Sequence, residues 1–328
     1  MDNIAGLPAA KRSELFSEAA AQRGMTPAVV EKDFWVTWTL DKIFRQPRLS
    51  QLLMFKGGTS LSKIFGLIER FSEDIDLILD WTVLTGEDPQ AERSKSQQQR
   101  LNKEIDDHGQ AFIAGDLLSL LAECVSPLCK CEADAGDPNV LNVRYPAAFE
   151  DTYLRPEVRL EIGPLASWLP FDEYTIRPLA AEVFPHLFSR AECGVKAIKA
   201  ERTFWEKATI LHHEANRPEG NQQPLRYSRH YYDLAKMAVA PVKDAALADL
   251  ELLKSVVQFK ERFYARGWAR YDLAKPGTLR LVPQGHVLES VKADYRAMGN
   301  MIFGEYLDIA TVMARLQALE TEINALAP

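Results

Sequence analysis

The sequence predicts an α/β protein of the α+β kind, in which an α/β part is followed by a mainly helical part. Segments with strand character are found before residue 195, and the later pattern is helical. The chain has 328 residues, of which 47% are hydrophobic and 26% are charged. This composition is typical of a soluble globular protein, and the length suits one large domain or two ordinary ones.

The first elements are predicted to be a helix, a strand and a second helix. Thr26 followed by Pro27 is a typical helix start, and an apolar helical stretch follows. The short apolar run 52–55 ends at a glycine pair, as a buried strand entering a turn does. A further helix is expected from Ser60, because four apolar side chains recur at helical spacing: Leu61, Ile64, Phe65 and Ile68.

Later elements follow from the same two periodicities. Residues 74–79 alternate in polarity, which predicts a strand, and shorter strand-like pieces occupy 140–145 and 158–162. Residues 92–108 are strongly polar, so we expect an exposed helix or insertion there. The last helix is marked by one long apolar stripe: Ile309, Val312, Met313, Leu316, Leu319, Ile323 and Leu326.

The two predicted domains, 1–195 and 196–328, differ in charge. The net charge is −7, from 39 Lys and Arg against 46 Asp and Glu. Residues 196–328 hold 19 basic against 16 acidic side chains, and residues 1–195 hold 20 against 30. A protein that binds duplex DNA would usually have a larger basic excess. Contact with a nucleic acid over a limited patch is compatible with these numbers.

Membrane, secreted and zinc-binding classes are disfavoured. No apolar run approaches the roughly 18 residues that cross a bilayer, and the N-terminus does not resemble a secretory signal. Four cysteines do not make a disulfide framework, and Cys129 and Cys131 lack a second ligand pair at zinc-finger spacing. We therefore expect a cytoplasmic protein with reduced thiols.

A glycine-rich turn stands between the first predicted strand and its helix. In Gly57-Gly58-Thr59-Ser60, the glycines would let the backbone approach a phosphate closely. The first helical N–H groups and the two hydroxyls could add hydrogen-bond donors to an anion. Taken alone the pattern is weak, since most glycine pairs before a helix only make the turn.

Two carboxylates follow on the next predicted strand. Asp74 and Asp76 are two residues apart, which places both on one face, about 6–7 Å apart along the strand. Mg²⁺ suits such a pair, because it binds carboxylate oxygens together with phosphate oxygens of a substrate. Glu161 is a third candidate ligand from a neighbouring strand, but it could equally pair with Arg159 on a solvated face.

At these residues the sequence resembles the AbiEii/AbiGii toxin family of nucleotidyltransferases, a branch of the DNA-polymerase-β-like superfamily. The family's G-G-T-x-L motif matches 57–61, and its block ending in D-x-D matches 70–76, with Arg-Phe in place of Phe-Arg. Further motifs match the strand around Glu161, the helical Lys207, and the Arg229–Asp233 stretch. The four motifs occur in order over residues 55–234, and only the first is specific by itself.

The resemblance implies a nucleotidyltransferase fold, with a small mixed sheet flanked by helices and a helical C-terminal domain that completes the active site. Asp74 and Asp76 would hold Mg²⁺ or Mn²⁺, Lys207 would contact phosphate, and Asp233 would complete the catalytic set. The NTP would be bound by five positions in addition to Lys207: Gly57, Gly58, Thr59, Ser60 and Ser72.

The resemblance also implies a biological role. Members of the family are toxins of toxin–antitoxin or phage-defence systems, and some resemble enzymes that add nucleotides to the 3′ end of tRNA and so stop translation. We therefore expect an NTP substrate, a tRNA acceptor and an antitoxin encoded by a neighbouring gene.

A basic and aromatic stretch, 254–271, is the candidate RNA-binding surface. Basic side chains can grip an RNA backbone and aromatic rings can stack on unpaired bases, although the aromatic residues fit better as the core face of a helix. We assign RNA contact to four arginines: Arg229, Arg262, Arg266 and Arg270.

Two other functions remain open on the sequence. The same site could transfer a nucleotide to a protein hydroxyl, or the chain could be an NTP-binding regulator without turnover. The preferred NTP, the number of nucleotides added and the oligomeric state are not encoded in any motif that we identify.

Overall fold

The computed structural model describes residues 1–70, 72, 74–151 and 154–327. The chain divides into two compact units: Met1–Ile64 with Phe71–Ile198, and Phe65–Arg70 with Lys199–Pro328. The sequence placed the domain boundary near residue 195, and it did not assign the short segment 65–70 to the second part. No helix in the described part of the chain is long and apolar enough to cross a membrane.

The first unit is built on a seven-stranded mixed sheet with the strand order β3-β4-β5-β2-β1-β7-β6. The strands are β1 (Leu53–Lys56), β2 (Asp74–Leu79), β3 (Lys130–Ala133), β4 (Val140–Arg144), β5 (Glu157–Gly163), β6 (Phe171–Ile176) and β7 (Cys193–Ile198). Strand β2 runs antiparallel to β1 and parallel to β5, while β1 runs parallel to β7. The expected small mixed sheet is therefore confirmed.

Helices surround this sheet. They are α1 (Asp2–Ala5), α2 (Ala9–Arg23), α3 (Pro27–Arg45), α4 (Pro47–Leu52), α5 (Gly57–Lys63), α6 (Lys95–Phe112), α7 (Leu118–Val125) and α8 (Leu179–Val183). Helix α3 begins as the sequence predicts, because the Thr26 side chain accepts a hydrogen bond from the Val29 N–H. The polar helix α6 is capped by Ser94 and Gln97, each of which bonds the backbone N–H of the other.

The second unit is mainly helical, as expected from the pattern after residue 195. Its helices are α9 (Ala200–Ala215), α10 (Ser228–Met237), α11 (Val242–Leu247), α12 (Leu250–Phe263), α13 (Gly285–Met298) and α14 (Ile309–Asn324). The segment 65–70 is bound to this unit, because Arg70 forms an antiparallel bridge with Ile302 and the Phe303 N–H donates to the Glu69 carbonyl.

The two faces of the sheet differ in chemistry. Residues such as Phe55, Leu77 and Ile162 alternate onto one face, where they join the main apolar core with helix α3. The other face carries the intervening residues of the same strands, which are mostly polar near the centre of the sheet. The period-2 alternation of strands accounts for this separation.

One sequence-based expectation of secondary structure was wrong, and three strands were missed. The helix predicted from Ser60 through Ile68 ends at Lys63, and Gly66 adopts a positive φ of 60°, which favours glycine. Strands β3, β6 and β7 were not predicted. Edge strand β6 is mostly exposed and lacks a clean apolar alternation, which explains why no pattern marked it.

Candidate active site

The carboxylates identified in the sequence lie on the polar face of the first unit's sheet. Asp74 and Asp76 occupy β2, where the burial pattern alternates and leaves both side chains partly exposed. Across the neighbouring strands, Asp76 is the register partner of Lys56 on β1 and of Glu161 on β5. The structure thus brings together all three carboxylates on adjacent strands.

Arg159 provides positive charge among these carboxylates. It is the register partner of Asp74, and its guanidinium nitrogens lie 3.8 Å from Asp74 Oδ1 and 3.8 Å from Glu161 Oε1. A third nitrogen contact, at 3.1 Å, reaches Asp134 Oδ2. Glu161 thus faces Arg159, as the pairing alternative expects, and it also lies beside Asp76. Its role as a metal ligand stays a prediction.

The glycine turn and the carboxylates contact each other directly. Gly57 has a φ of 84°, and a Cβ atom built on it would lie 1.9 Å from Asp76 Oδ2. Any other residue at position 57 would therefore collide with this carboxylate and would also be strained. The turn and the D-x-D pair are thus parts of one local arrangement.

The two hydroxyl groups of the turn face the protein. Ser60 Oγ donates to the Gly57 carbonyl at 2.8 Å, and Thr59 Oγ1 donates to the carbonyls of Asp74 and Ser72. Both side chains are buried. The groups that remain suited to an anion are the backbone N–H groups of the first four helical residues, which point towards the start of the helix. These residues are Gly57, Gly58, Thr59 and Ser60.

Ser72 takes part in this arrangement through its backbone, because its carbonyl accepts the 3.3 Å hydrogen bond from Thr59 Oγ1. Phe71 and Glu73, which belong to the same sequence motif, lie outside the described residues.

In the second unit, the predicted Lys207 and Asp233 form a closed ion-pair cluster with Arg70. Lys207 Nζ lies 2.7 Å from Asp233 Oδ2. Arg70 binds the same carboxylate with two nitrogens, Nε to Oδ1 at 2.7 Å and Nη2 to Oδ2 at 2.8 Å. Asp233 is 0% exposed, so its charge is compensated entirely within the protein.

In this cluster, burial and the neighbouring charges favour a charged Asp233 and a neutral His230. Burial would raise the pKa of Asp233, but Arg70 and Lys207 outweigh it and hold that pKa below its usual range. Burial lowers the pKa of Lys207, and Asp233 partly opposes this change. The pKa of His230 lies well below 6.5, because burial and the cations of Lys207 and Arg229 disfavour its charged form.

The candidate RNA-binding arginines occupy different environments. Arg262 lies in the last turn of α12, where Phe259 and Phe263 stack with ring centroids 4.4 Å apart. Arg266 is exposed, whereas Arg270 forms two 3.0 Å hydrogen bonds with Asp272. Phe263 is buried and Tyr264 is exposed, so the aromatic residues of this stretch divide between core and surface.

The described residues do not include a complete metal site. No group of three or more His, Cys, Asp or Glu side chains among them, Asp74, Asp76 and Glu161 included, is arranged to hold a metal ion. The four cysteines are free thiols. His212 is buried, with its ring nitrogens bonded to the Arg270 carbonyl and the Arg280 N–H, so its role is structural.

Comparison with known families decides how this arrangement is classified. The family model described as "Nucleotidyl transferase AbiEii toxin, Type IV TA system" matches residues 38–319, which is most of the chain. The chain belongs to this AbiEii family. It is therefore a nucleotidyltransferase of a toxin–antitoxin family, and the matched range contains the glycine turn, the D-x-D pair, Lys207 and Asp233.

Solved structures show more distant similarity. MenT4, a nucleotidyltransferase toxin from Mycobacterium tuberculosis H37Rv, is 18% identical, with 98% of this chain and all of that chain covered and a TM-score of 0.42. A protein from H. pylori with a provisional nucleotidyltransferase assignment is 13% identical, with 90% and 96% covered and a TM-score of 0.38. Family membership therefore rests on the family model. No curated protein matches the chain.

Sequence reasoning missed several members of these arrangements in the AbiEii protein. The sequence marks Arg70 only as part of the motif, and it does not mark Lys56. A lysine beside a glycine turn carries no signal of its own. The pairing of Arg70 with Asp233 joins residues 163 positions apart, which no local pattern reveals.

Proposed function

We propose that this AbiEii protein transfers a nucleoside monophosphate from an NTP to the 3′ end of tRNA in a Mg²⁺-dependent reaction, and that this modification blocks translation. The observation that carries the proposal is the contact between Gly57 and the Asp76 carboxylate. It puts a backbone suited to phosphate beside a carboxylate suited to a divalent ion, which is what a metal–triphosphate substrate requires.

The donor set on the sheet fits a metal ion whose coordination is completed by substrate. Mg²⁺ is usually bound by one or two carboxylates, with waters and phosphate oxygens as further ligands. Asp74 and Asp76 supply two carboxylates from one strand face, and Glu161 is the third candidate. When bound, the ion, Mg²⁺ or Mn²⁺, would neutralise charge on the phosphoryl oxygens.

The backbone N–H groups of Gly57–Ser60 are proposed to hold the triphosphate, with Ser72 fixing the turn through its carbonyl. In the reaction, the acceptor hydroxyl attacks the α-phosphorus of the NTP and pyrophosphate leaves. The protein contributes mainly by positioning the groups and stabilising charge.

Lys207 is proposed to contact phosphate, and Asp233 is proposed to support it. Arg70 and Lys207 place two cations on one buried carboxylate, so the cluster retains positive charge for an anion. Asp233 holds Lys207 in one position through their 2.7 Å contact.

The proposal also includes an RNA acceptor and a protein partner. Arg229, Arg262, Arg266 and Arg270 are proposed to bind the tRNA backbone, in line with the slight basic excess of residues 196–328. A cognate antitoxin from a neighbouring gene would neutralise the toxin, and phage defence is the expected setting.

The test is transfer of label from each of the four α-labelled NTPs, with Mg²⁺, into total tRNA and into total protein. We expect label at the 3′ end of tRNA, lost in the Asp76→Asn and Lys207→Met variants. The control is Glu14→Gln, which changes an exposed carboxylate of α2. Label only in protein would replace the RNA acceptor with a protein hydroxyl, and tight Mg·NTP binding without any label would indicate a regulator.

A further inference from the structure

Helix α3 carries three consecutive charged residues that are buried: Glu31, Lys32 and Asp33. Burying a charge is costly unless it is paired or hydrogen-bonded, so each of these side chains should have a structural partner. The helix is apolar on most of its surface and lies in the main core of the first unit.

The first two residues hold the chain at two places, one before β5 and one at its start. Glu31 accepts hydrogen bonds from the backbone N–H groups of Ala148, at 2.8 Å, and Phe149, at 3.2 Å. Lys32 donates to the carbonyls of Arg155, at 3.1 Å, and Glu157. Strand β5 then continues to the residues that face Asp74 and Asp76.

Asp33 holds the helix of the glycine turn. Its Oδ1 lies 2.6 Å from Lys63 Nζ, and its Oδ2 accepts a 2.6 Å hydrogen bond from the Leu179 N–H. Lys63 is the last residue of α5, and it also donates to the Arg177 carbonyl at 2.8 Å. Both side chains of the pair are 10% exposed.

Helix α5 depends on such contacts for its orientation. It has seven residues, and a helix this short has little stability of its own in water. Thr59 joins its first turn to the backbone of Asp74, and the Lys63–Asp33 ion pair fixes its last turn to α3. The direction in which the Gly57–Ser60 N–H groups point is therefore set from both ends.

We propose that Asp33 is a positioning residue for substrate phosphate, which acts through Lys63 to fix the orientation of α5. This inference rests on the proposed function, because it assumes that the turn at the start of α5 binds a triphosphate. Misplacement of a binding group by about 1 Å can cost roughly 10²-fold in an enzyme, so the ion pair should affect affinity as well as folding.

The same helix offers a matched control. Asp41 lies two turns further along α3 and is fully buried, and it is paired with Arg190. Its loss removes a buried ion pair of α3 without removing a contact to α5. If Asp33 had only a structural role as a buried charge, Asp33→Asn and Asp41→Asn would have the same effect on phosphate affinity.

The experiment measures the dissociation constant of inorganic tripolyphosphate with Mg²⁺ by calorimetry, together with the melting temperature of each variant. We expect Asp33→Asn and Lys63→Met each to weaken binding by between about tenfold and about 10²-fold. The double variant should be little worse than either single one, because both remove the same interaction. Lys63→Arg should restore most of the affinity, whereas Asp41→Asn should bind nearly as the unmodified protein does although it melts earlier.

Equal affinities for Lys63→Met, Asp33→Asn and Asp41→Asn would overturn the inference. If Asp33→Asn does not fold, Lys63→Met decides by the same comparison. An unmodified protein that binds neither tripolyphosphate nor any of the four NTPs would overturn the proposed function, and this inference with it. Binding by the unmodified protein without any effect of Lys63→Met overturns the inference alone.

Discussion

The carboxylate face of the first unit and the ion-pair cluster of the second unit differ in how the charges of their carboxylates are compensated. On the sheet, Asp74 and Asp76 are partly exposed and belong to a face with more carboxylates than cations. In the cluster, Asp233 is fully buried and two cations bind both of its oxygens. The first arrangement is suited to receive a cation from outside, and the second already has its counter-ions.

This difference predicts which substitutions affect activity alone and which also affect folding. A partly exposed carboxylate can lose its charge with little effect on folding, because water already solvates it. A buried, bidentate carboxylate cannot, since its loss leaves buried cations without a partner. We therefore expect substitutions on the sheet to remove activity, and substitutions in the cluster to remove stability as well.

The largest effect is expected for Asp76→Asn. Loss of one carboxylate beside Gly57 should lower the rate of nucleotidyl transfer by about 10²- to 10³-fold, as loss of one key electrostatic group does in other enzymes. The free energy of unfolding should hardly change. Label transfer and denaturant titration measure the two quantities, and a stable variant with normal transfer would show that the sheet is not the active site.

Asp233→Asn should act mainly on folding. Breaking a buried ion pair costs about 3–5 kcal/mol, because Arg70 and Lys207 would remain buried with one neutral partner. Urea titration of this variant beside Asp76→Asn tests the contrast. Equal stability of the two variants would mean that the closed cluster does not hold the second unit together.

The second unit should also lose stability in acid. Burial raises the pKa of Glu214, but hydrogen bonds from His213 and Arg217 outweigh it and lower that pKa from 4.5 to about 2. The stabilisation is therefore complete above about pH 4.5 and is lost as the pH falls towards 2, a loss of about 3 kcal/mol for this fully buried side chain.

Glu214→Gln should flatten this dependence. The free energy of unfolding, measured from pH 6 to pH 3, would fall less steeply in this variant than in the unmodified protein. Parallel curves for the two proteins would contradict the assignment of acid sensitivity to Glu214.

Gly57→Ala is expected to have a smaller effect on stability but a specific effect on binding. A non-glycine residue at positive φ costs about 1–2 kcal/mol, and the added Cβ would also meet Asp76. Gly24→Ala is the control, because Gly24 has a φ of 64° with nothing within 4 Å of a built Cβ. Only Gly57→Ala should weaken Mg·NTP binding. Equal binding by both variants would show that the turn does not bind the substrate.

The smallest effects are expected at the arginine surface. Charge reversal at Arg266 should weaken the binding of every tRNA to a similar extent, because the contact is to the backbone. It should also reduce the slope of log affinity against log salt concentration by about 1. Lys11→Glu, on an exposed site of α2, serves as the control. An unchanged salt dependence for the Arg266 variant would show that Arg266 does not contact the tRNA backbone.

Sequence reasoning succeeded where the chemistry was local. Asp74 and Asp76 are two residues apart on a strand, and Gly57–Ser60 are consecutive, so periodicity alone places each group. The α/β class and the helical second part were predicted on the same basis. Lys207 and Asp233 came from family resemblance, because nothing in their surroundings marks them.

Long-range pairing explains what could not be predicted. Arg70 reaches Asp233 and Asp33 reaches Lys63 only after the chain has folded. The run Glu31-Lys32-Asp33 did carry a signal, since three consecutive charges in a helix rich in apolar side chains require partners where they are buried. The length of the helix after Gly57 was overestimated because its apolar spacing continues past the point where Gly66 turns the chain.

Binding of Mn²⁺, followed by electron paramagnetic resonance, tests the central claim most directly. The comparison uses the unmodified protein, Asp76→Asn and Glu14→Gln, each with and without tripolyphosphate. We predict that the unmodified protein and Glu14→Gln bind Mn²⁺ more tightly when tripolyphosphate is present, and that Asp76→Asn loses this binding. Binding of Mn²⁺ and tripolyphosphate by Asp76→Asn as tightly as by the unmodified protein would contradict the account.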